Sequence, residues 1–305
     1  MIILEKLRDL TLRGDAGSID HPYLSAASGL ICTKSTIYVV ADDELHLGVF
    51  PADGSDPGIL LRLFPGTLPS SKSERKAIKP DLEALTLLPA SAEYPHGALL
   101  AMGSGSTGNR RMAVTLELSA QGAPCGNPRI IDLTPMFTAL EQEFSALNIE
   151  GAMVHGDELL LLQRGNNRDP HNAIVHYRLA DATDTLFART SLSRPIAIQR
   201  FLLGTVNGIP LCFTDGTALP NGEIVFCAVA EDTDDAYHDG LCTGAAIGIM
   251  DARGNVRSVQ RLAQPRKIEG IAASMAGNAI RVLLVTDADD ARIPAGLFSA
   301  MLSSV

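Results

Sequence analysis

A short motif recurs five times along the chain, and it restricts the possible folds more than any other feature. Each copy has Glu, Ser or Thr, then a small residue, then an apolar residue: Ser28-Gly29-Leu30, Glu83-Ala84-Leu85, Glu150-Gly151-Ala152, Thr217-Ala218-Leu219 and Glu269-Gly270-Ile271. Each copy opens an apolar segment typical of a strand. The small residues lie 52 to 67 residues apart, an interval that fits one four-stranded propeller blade.

The motif predicts an all-β fold consisting of a single β-propeller domain over residues 1–305. Five four-stranded blades agree best with the five copies, and six remain the alternative because a degenerate blade fits within the irregular stretch 182–210. Only three strands follow the fifth copy, whereas the N-terminal segment Ile2–Leu12 is an unassigned strand. We therefore expect this segment to be the outer strand of the last blade, so that both chain ends close the ring.

One helix is expected, as a short insertion near residues 135–147. Thr134-Pro135 has the character of an N-cap followed by proline at the first helical position. Phe137, Leu140, Phe144 and Leu147 then form an apolar stripe. We interpret this helix as a cover in the connection between two blades.

Composition narrows the class of partner. The net charge of -10 argues against nucleic acid and anionic membranes, and no apolar stretch is long enough to cross a bilayer. The five scattered cysteines and the absence of a basic, apolar leader favour a reduced cytoplasmic protein, with export as the alternative. We expect the protein to be a monomer. The expected partner is a small polar or anionic molecule.

Propeller geometry predicts which end of the ring carries the binding site. We call the end of the ring at which the inner strands begin the top. If each motif begins an inner strand there, the long charged loops also lie at the top, whereas the turns at the other end of the ring are short. The three motif glutamates would then point towards the axis and need cations between them. The predicted ligand-binding residues are Glu83, Glu150, Glu269, Arg164, Arg292, Lys79, Lys267, Ser104, Thr217 and Ser28. The alternative is that each glutamate accepts hydrogen bonds from backbone amides of the next blade.

Two acidic runs are candidate calcium ligands, because Ca²⁺ binds carboxylate oxygens. The candidate residues are Glu231, Asp232, Asp287 and Asp289. The run that begins at Glu231 lacks the spacing of an EF-hand, so a solvated acidic loop is the alternative interpretation.

Other motifs exclude several chemistries. Residues 103–108 match G-x-G-x-x-G, but a strand pattern follows where a dinucleotide site needs a helix. The amides and hydroxyls of this loop, Ser104 among them, remain candidates for binding an anion. Zinc motifs and a G-x-S-x-G nucleophile are missing, and the catalytic residues are unknown.

The openings Asp81-Leu82-Glu83, Asn148-Ile149-Glu150 and Lys267-Ile268-Glu269 resemble those of the phytase-like propeller superfamily, and the chain looks closest to an uncharacterised bacterial branch of it. In phytases an acidic top face holds calcium ions that bind substrate phosphates. The resemblance thus implies calcium ligation by the three glutamates and by residues 231–235 and 287–290.

Two functions follow from these observations. The first is a propeller that binds a small polar or anionic ligand in an acidic, arginine-lined pocket at the top of the ring. The alternative is a calcium-dependent hydrolase of phosphoesters or other esters, in which metal-bound water attacks. Whether the protein is an enzyme stays open at this point. A protein-interaction platform is disfavoured, since the top loops are polar.

Overall fold

A computed structural model describes residues 1–14, 22–54, 56–187, 194–235, 238 and 240–303 of the chain. These residues form five antiparallel sheets. The innermost strands of the sheets contact one another in a closed cycle, so the sheets are the blades of a five-bladed β-propeller. The predicted fold class and the preferred number of blades are confirmed.

The first strand of the chain, β1 (Glu5–Asp9), precedes the first two blades and belongs to neither of them. Blade one contains β2 (Ala27–Cys32), β3 (Thr36–Ala41), β4 (His46–Pro51) and β5 (Ile59–Arg62). Blade two contains β6 (Leu82–Leu88), β7 (Ala98–Gly103), β8 (Met112–Glu117) and β9 (Arg129–Asp132). In both blades the strands pair in the order of the sequence.

The strands of the third and fourth blades differ most from those predicted from the sequence. Blade three contains β10 (Ile149–His155), β11 (Glu158–Gln163), β12 (Asn172–Arg178) and β13 (Ala197–Phe201). Blade four contains β14 (Thr205–Val206), β15 (Ile209–Ala218), β16 (Ile224–Asp232), β17 (Leu241–Met250) and β18 (Val256–Arg261). The stretch 182–210 thus supplies the last strand of blade three and a short hairpin of blade four. Its residues 188–193 lie outside the described part of the chain.

The last blade joins the two ends of the chain. It contains β19 (Ile268–Ala276), β20 (Ala279–Thr286) and β21 (Gly296–Ser303). Strand β1 pairs antiparallel with β21 as the outer strand, with Glu5 opposite Ser299 and Asp9 opposite Gly296. The N-terminal segment therefore closes the ring as the sequence predicted.

Three short α-helices occur in the described residues, namely α1 (Lys72–Ile78), α2 (Thr134–Leu140) and α3 (Leu179–Leu186). Helix α2 is the predicted one, but it ends at Leu140 rather than near 147. Helix α1 buries none of its side chains, so no apolar stripe indicated it. None of the described helices has the length and hydropathy needed to cross a membrane.

The hydrophobic core is divided among the spaces between blades. Five clusters of buried side chains occur, and each combines residues of two neighbouring blades. Between blades two and three, for example, Leu100 packs in the same cluster as Leu161. Because each blade covers only part of its neighbour, stability requires the complete ring.

In four of the five blades the recurring motif coincides with a β-bulge near the start of the inner strand. In β6, β10 and β19 the pairing register shifts across Glu83, Glu150 and Glu269, each of which is the extra residue. In β2 the shift spans Ser28 and Gly29. A bulge changes the direction of a side chain that would otherwise follow the alternation of the strand.

In blade four the predicted position of the motif is wrong. The register shift in β15 lies between Phe213 and Asp215, so the extra residue is Thr214 and not Thr217. The sequence pattern was misleading because Asp215 takes the place of the small residue that follows the bulge in the other blades.

The small residues let the inner strands approach closely around the axis. A Cβ atom on Gly270 would lie 2.3 Å from the backbone oxygen of Ser28 in the next blade. A Cβ on Gly29 would lie 2.8 Å from the backbone nitrogen of Leu85. Glycine is therefore required at these positions by the neighbouring backbone.

Candidate functional site

A cavity of about 810 Å³ opens at the top of the ring, where the inner strands begin. The loops that line it come from all five blades, and they include residues 42–46, 66–79, 164–166 and 287–292. The long charged loops therefore gather at one end of the propeller, as the strand directions require.

The floor of the cavity is formed by bulge residues of the inner strands. Ser28, Glu83, Glu150 and Glu269 all line it. Thr214 is the exception, since it is buried and its hydroxyl donates a 2.7 Å hydrogen bond to the carbonyl of Ile268. The floor is therefore asymmetric, with carboxyl groups from blades two, three and five.

Each floor glutamate has a different polar residue two positions before it. Asn148 donates a 2.6 Å hydrogen bond from its side chain to Glu150. Lys267 places its Nζ 3.6 Å from Oε1 of Glu269, and Asp81 lies beside Glu83. The same backbone position thus carries a neutral amide, a cation and an anion in the three blades.

A buried lysine neutralises the acidic group beside Glu83. Nζ of Lys79 contacts Asp42 and lies 3.1 Å from Oδ1 of both Asp43 and Asp81. Arg110 lies 2.8 Å from the other oxygen of Asp81. Burial disfavours the charge of Lys79, but the facing carboxylates outweigh it and raise its pKa above the usual value.

Arg164 connects blades three and four across the floor. Its guanidinium lies 3.3 Å from Oε2 of Glu150 and also contacts Glu231. The other oxygen of Glu231 accepts a 2.7 Å hydrogen bond from the backbone amide of Gly240. Burial opposes ionisation of Glu231, but Arg164 and Lys267 lower its pKa below the usual value overall.

Lys267 occupies the centre of a third charged group. Besides Glu269, its ammonium lies 2.6 Å from Asp289, 3.8 Å from Asp287 and 3.9 Å from Glu231. Three of the four residues predicted to bind calcium therefore surround a lysine. Asp232, the fourth, does not line the cavity, because neighbouring residues of a strand point in opposite directions. It is exposed and accepts a hydrogen bond from Asn167.

Three other predicted ligand-binding residues are placed differently from the prediction. Ser104 is fully buried outside the cavity lining, and its hydroxyl donates a 2.5 Å hydrogen bond to Asp81. Arg292 reaches only the rim, where its largely exposed side chain pairs with Asp290 at 2.7 Å. Thr217 lies three residues beyond the bulge of β15 and does not line the cavity.

Sequence reasoning missed two carboxyl groups of the axis. Asp42 lies in the loop after β3, where only its neighbours Asp43 and Glu44 signalled an acidic turn. Asp215 is buried, and its carboxylate accepts hydrogen bonds from the backbone amides of Gly216 (2.7 Å) and Ile271 (2.9 Å). The sequence left open that the glutamates accept hydrogen bonds from backbone amides of the next blade. In the structure Asp215 has that role.

Glu269 differs from its neighbours because both of its oxygens are buried and neither accepts a hydrogen bond. Its residue is 5% exposed, and the distance of 3.6 Å to Lys267 is too long for a hydrogen bond. Burial raises the pKa of Glu269 well above its usual value, and Lys267 and Arg164 oppose this only in part. The pKa of Glu83 is likewise raised by burial and by the carboxylates of Glu150 and Asp81.

One group of carboxyl oxygens in the described residues is compact enough for a metal ion. Asp42, Asp81 and Glu83 each bring an oxygen within 4.8 Å of the others. The ammonium of Lys79 already contacts two of them. A divalent ion there would therefore face a fixed positive charge.

A family model described as a family of unknown function, DUF6929, matches residues 23–302. The chain belongs to the DUF6929 family. The matched region includes all five inner strands of this DUF6929 protein, and with them every floor residue. No curated protein matches the chain.

The solved structures similar to this DUF6929 protein share little sequence with it. Glutaminyl cyclase of Myxococcus xanthus has 10% identity and a TM-score of 0.49, and the match covers 100% of this chain and 98% of that one. A gluconolactonase of Xanthomonas campestris has 8% identity and a TM-score of 0.43, with coverage of 98% and 95%. Arabinanase Arb43A of Bacillus subtilis has 12% identity and a TM-score of 0.43, with coverage of 93% and 96%. All three TM-scores lie below 0.5, so the fold assignment rests on the closed cycle of inner strands and not on these likenesses. None of the three singles out the phytase-like branch.

Proposed function

We propose that this DUF6929 protein binds a small polar ligand in the cavity at the top of the ring, with Glu269, Glu150 and Glu83 in contact with it. The observation that supports this most directly is the state of Glu269. A buried carboxyl group with no hydrogen bond destabilises a folded protein, so such groups are rare unless they serve a function. A ligand that brings hydrogen-bond donors to the floor would remove this cost.

The charge distribution along the cavity suggests how the ligand is oriented. The floor is rich in carboxyl groups, whereas helix α1 at the rim carries Lys72, Arg75 and Lys76, which also line the cavity. An anionic group of the ligand is therefore proposed to lie near the rim, and its donor groups near the floor.

The proposal is tested by a thermal-shift screen of small polar metabolites against the wild-type protein and Glu269→Gln. We expect at least one ligand to stabilise the wild type and to have a much smaller effect on the variant. Glu158→Gln is the matched control, because Glu158 pairs with His176 at 2.8 Å and does not line the cavity. If every ligand stabilises Glu269→Gln as much as the wild type, the floor does not bind them and the proposal is wrong.

A calcium-dependent hydrolase of phytase-like type is the second candidate, and the oxygens of Asp42, Asp81 and Glu83 are the observation in its favour. Ca²⁺ takes six to eight oxygen ligands, so it would need Lys79 to withdraw from this group. Melting temperatures measured with calcium and with EDTA test this candidate. A higher melting temperature in calcium that Asp81→Asn abolishes would support it, and equal values would remove it.

A further inference from the structure

We propose that the floor of the cavity recognises a primary ammonium group of an organic ligand. This inference rests on the proposed function and specifies the chemical class of the ligand.

Carboxyl groups outnumber cations around the floor. Among the described residues, the cations in contact with carboxyl groups on the floor or beside it are Lys79, Arg110, Arg164 and Lys267. The carboxyl groups that they contact are those of Asp42, Asp43, Asp81, Glu150, Glu231, Glu269, Asp287 and Asp289. Glu83 adds a further carboxyl group. Four cations for nine carboxyl groups leave a site that favours a cation and repels an anion.

The hydrogen bonds missing at the floor match what an ammonium group supplies. Both oxygens of Glu269 lack a donor, and the structure shows no donor to Glu83 from the described residues. Glu150 faces the same cavity from the blade between them. An ammonium group has three N–H donors and no acceptor, so it supplies the donors that the oxygens of Glu269 lack. Charge-assisted hydrogen bonds of this kind are among the strongest in proteins.

Other ligand classes fit the floor less well. A neutral polyol supplies donors but leaves the excess negative charge uncompensated. Calcium prefers six to eight oxygen ligands, whereas Oε1 of Glu269 lies 3.6 Å from the ammonium of Lys267. A quaternary ammonium has the right charge but no N–H donors, so it tests whether hydrogen bonding matters.

Proton release provides an independent readout. Burial raises the pKa of Glu269 and a bound cation would lower it, so cation binding is expected to release protons at pH values between these two pKa values. Binding of an ammonium group therefore becomes tighter as the pH rises towards the pKa of the amine, and binding of a neutral acceptor does not. The titratable and charged groups that face Glu269 from the surrounding elements are Lys267, Arg164, Glu150, Glu231, Cys227 and Cys242.

The experiment compares four probes at constant ionic strength by thermal shift and calorimetry. They are propylammonium chloride, propyltrimethylammonium chloride, xylitol and inorganic phosphate, each at tens of millimolar, where ligands of few atoms bind. We expect propylammonium to stabilise the wild type, the trimethyl analogue to be roughly tenfold weaker, and binding of propylammonium to release a proton. We expect Glu269→Gln to weaken propylammonium binding by roughly tenfold or more, and Glu158→Gln to leave it unchanged.

The outcomes separate this inference from the proposed function. If propylammonium acts no better than its trimethyl analogue, or stabilises Glu269→Gln and Glu83→Gln as much as the wild type, the ammonium inference is overturned. If xylitol or phosphate instead gives a shift that depends on Glu269, the inference fails while the cavity remains the binding site. The comparison of the two propyl probes uses only wild-type protein, so it decides the point even if a variant does not fold.

Discussion

The backbone amide of Ile271 donates a 2.9 Å hydrogen bond to the carboxylate of Asp215, and this bond joins blades four and five next to the axis. The same carboxylate accepts a 2.7 Å hydrogen bond from the amide of Gly216 in its own blade. A single buried side chain thus connects two neighbouring blades. It lies on the inner strand of blade four, where, unlike in the other blades of the described chain, the bulge residue does not line the cavity floor.

We expect Asp215→Ala to lower the free energy of unfolding by about 3 kcal/mol or more, because it leaves two buried amides without an acceptor. Urea unfolding followed by circular dichroism measures the change. Asp157→Ala is the matched control, since Asp157 lies in an exposed turn at the opposite end of the ring. Equal unfolding midpoints for the two variants would contradict the role assigned to Asp215.

The corrected register of blade four makes a prediction about two threonines. Thr214→Ala removes the hydrogen bond to the carbonyl of Ile268 and should cost about 1–2 kcal/mol of stability. Thr217→Ala should cost less than about 0.5 kcal/mol, because Thr217 is only half-buried and makes no hydrogen bond through its side chain in the described residues. Thermal unfolding of both variants tests this, and a larger effect at Thr217 would show that the register is wrong.

The number of blades and the closure of the ring could be predicted because the bulge imposes the same residue types on most inner strands. Glycine or alanine follows Glu83, Glu150 and Glu269, and the neighbouring blade leaves no space for more. In blade four an aspartate replaces the small residue, so the pattern was broken where the carboxylate gained a structural role. Helix α1 escaped prediction because it lies on the surface without a buried face.

The close approach of the inner strands predicts a large effect of one methyl group. In Gly270→Ala the new Cβ would meet a backbone oxygen at 2.3 Å, which side-chain movement cannot relieve. We expect a loss of about 1–3 kcal/mol in the free energy of unfolding. Gly108→Ala is the control, because nothing lies within 4 Å of its added Cβ. Chemical denaturation of both variants measures the difference, and a neutral Gly270→Ala would contradict the geometry.

The raised pKa of Asp287 predicts that the stability of the protein depends on pH. Burial raises its pKa to about 7, against the attraction of Lys267 and with the repulsion of Asp42 and Asp289. The folded state thus binds the proton more tightly than the unfolded state, so this contribution to stability is complete below about pH 4 and is lost as the pH rises towards 7.

Asp287→Asn lacks this titration, so its stability relative to the wild type should increase between about pH 4 and pH 7. Denaturant midpoints across this range provide the measurement. In the control Asp290→Asn the difference from the wild type should stay nearly constant above about pH 5, because Arg292 lowers the pKa of Asp290 to about 2. Parallel curves for Asp287→Asn and the wild type would contradict the assignment.

Most residues of the candidate site could be predicted, but not which cation contacts which carboxyl group. The three glutamates and the cations Arg164, Lys267 and Lys79 were identified by residue type and by their distance from the motif. Which carboxylate each cation meets depends on loops of different blades, and no single stretch of sequence contains that information. The residue two positions before each glutamate was the signal that went unused, since it differs in charge among the three blades.

The pairing of β1 with β21 has a consequence for biosynthesis. Strand β1 is synthesised before the other strands of the propeller, and its partner β21 is synthesised after them. Because Glu269 and Lys267 belong to the blade that this pairing completes, that blade lacks its outer strand until β21 is available. The blade that carries these two floor groups is therefore expected to be completed late in folding.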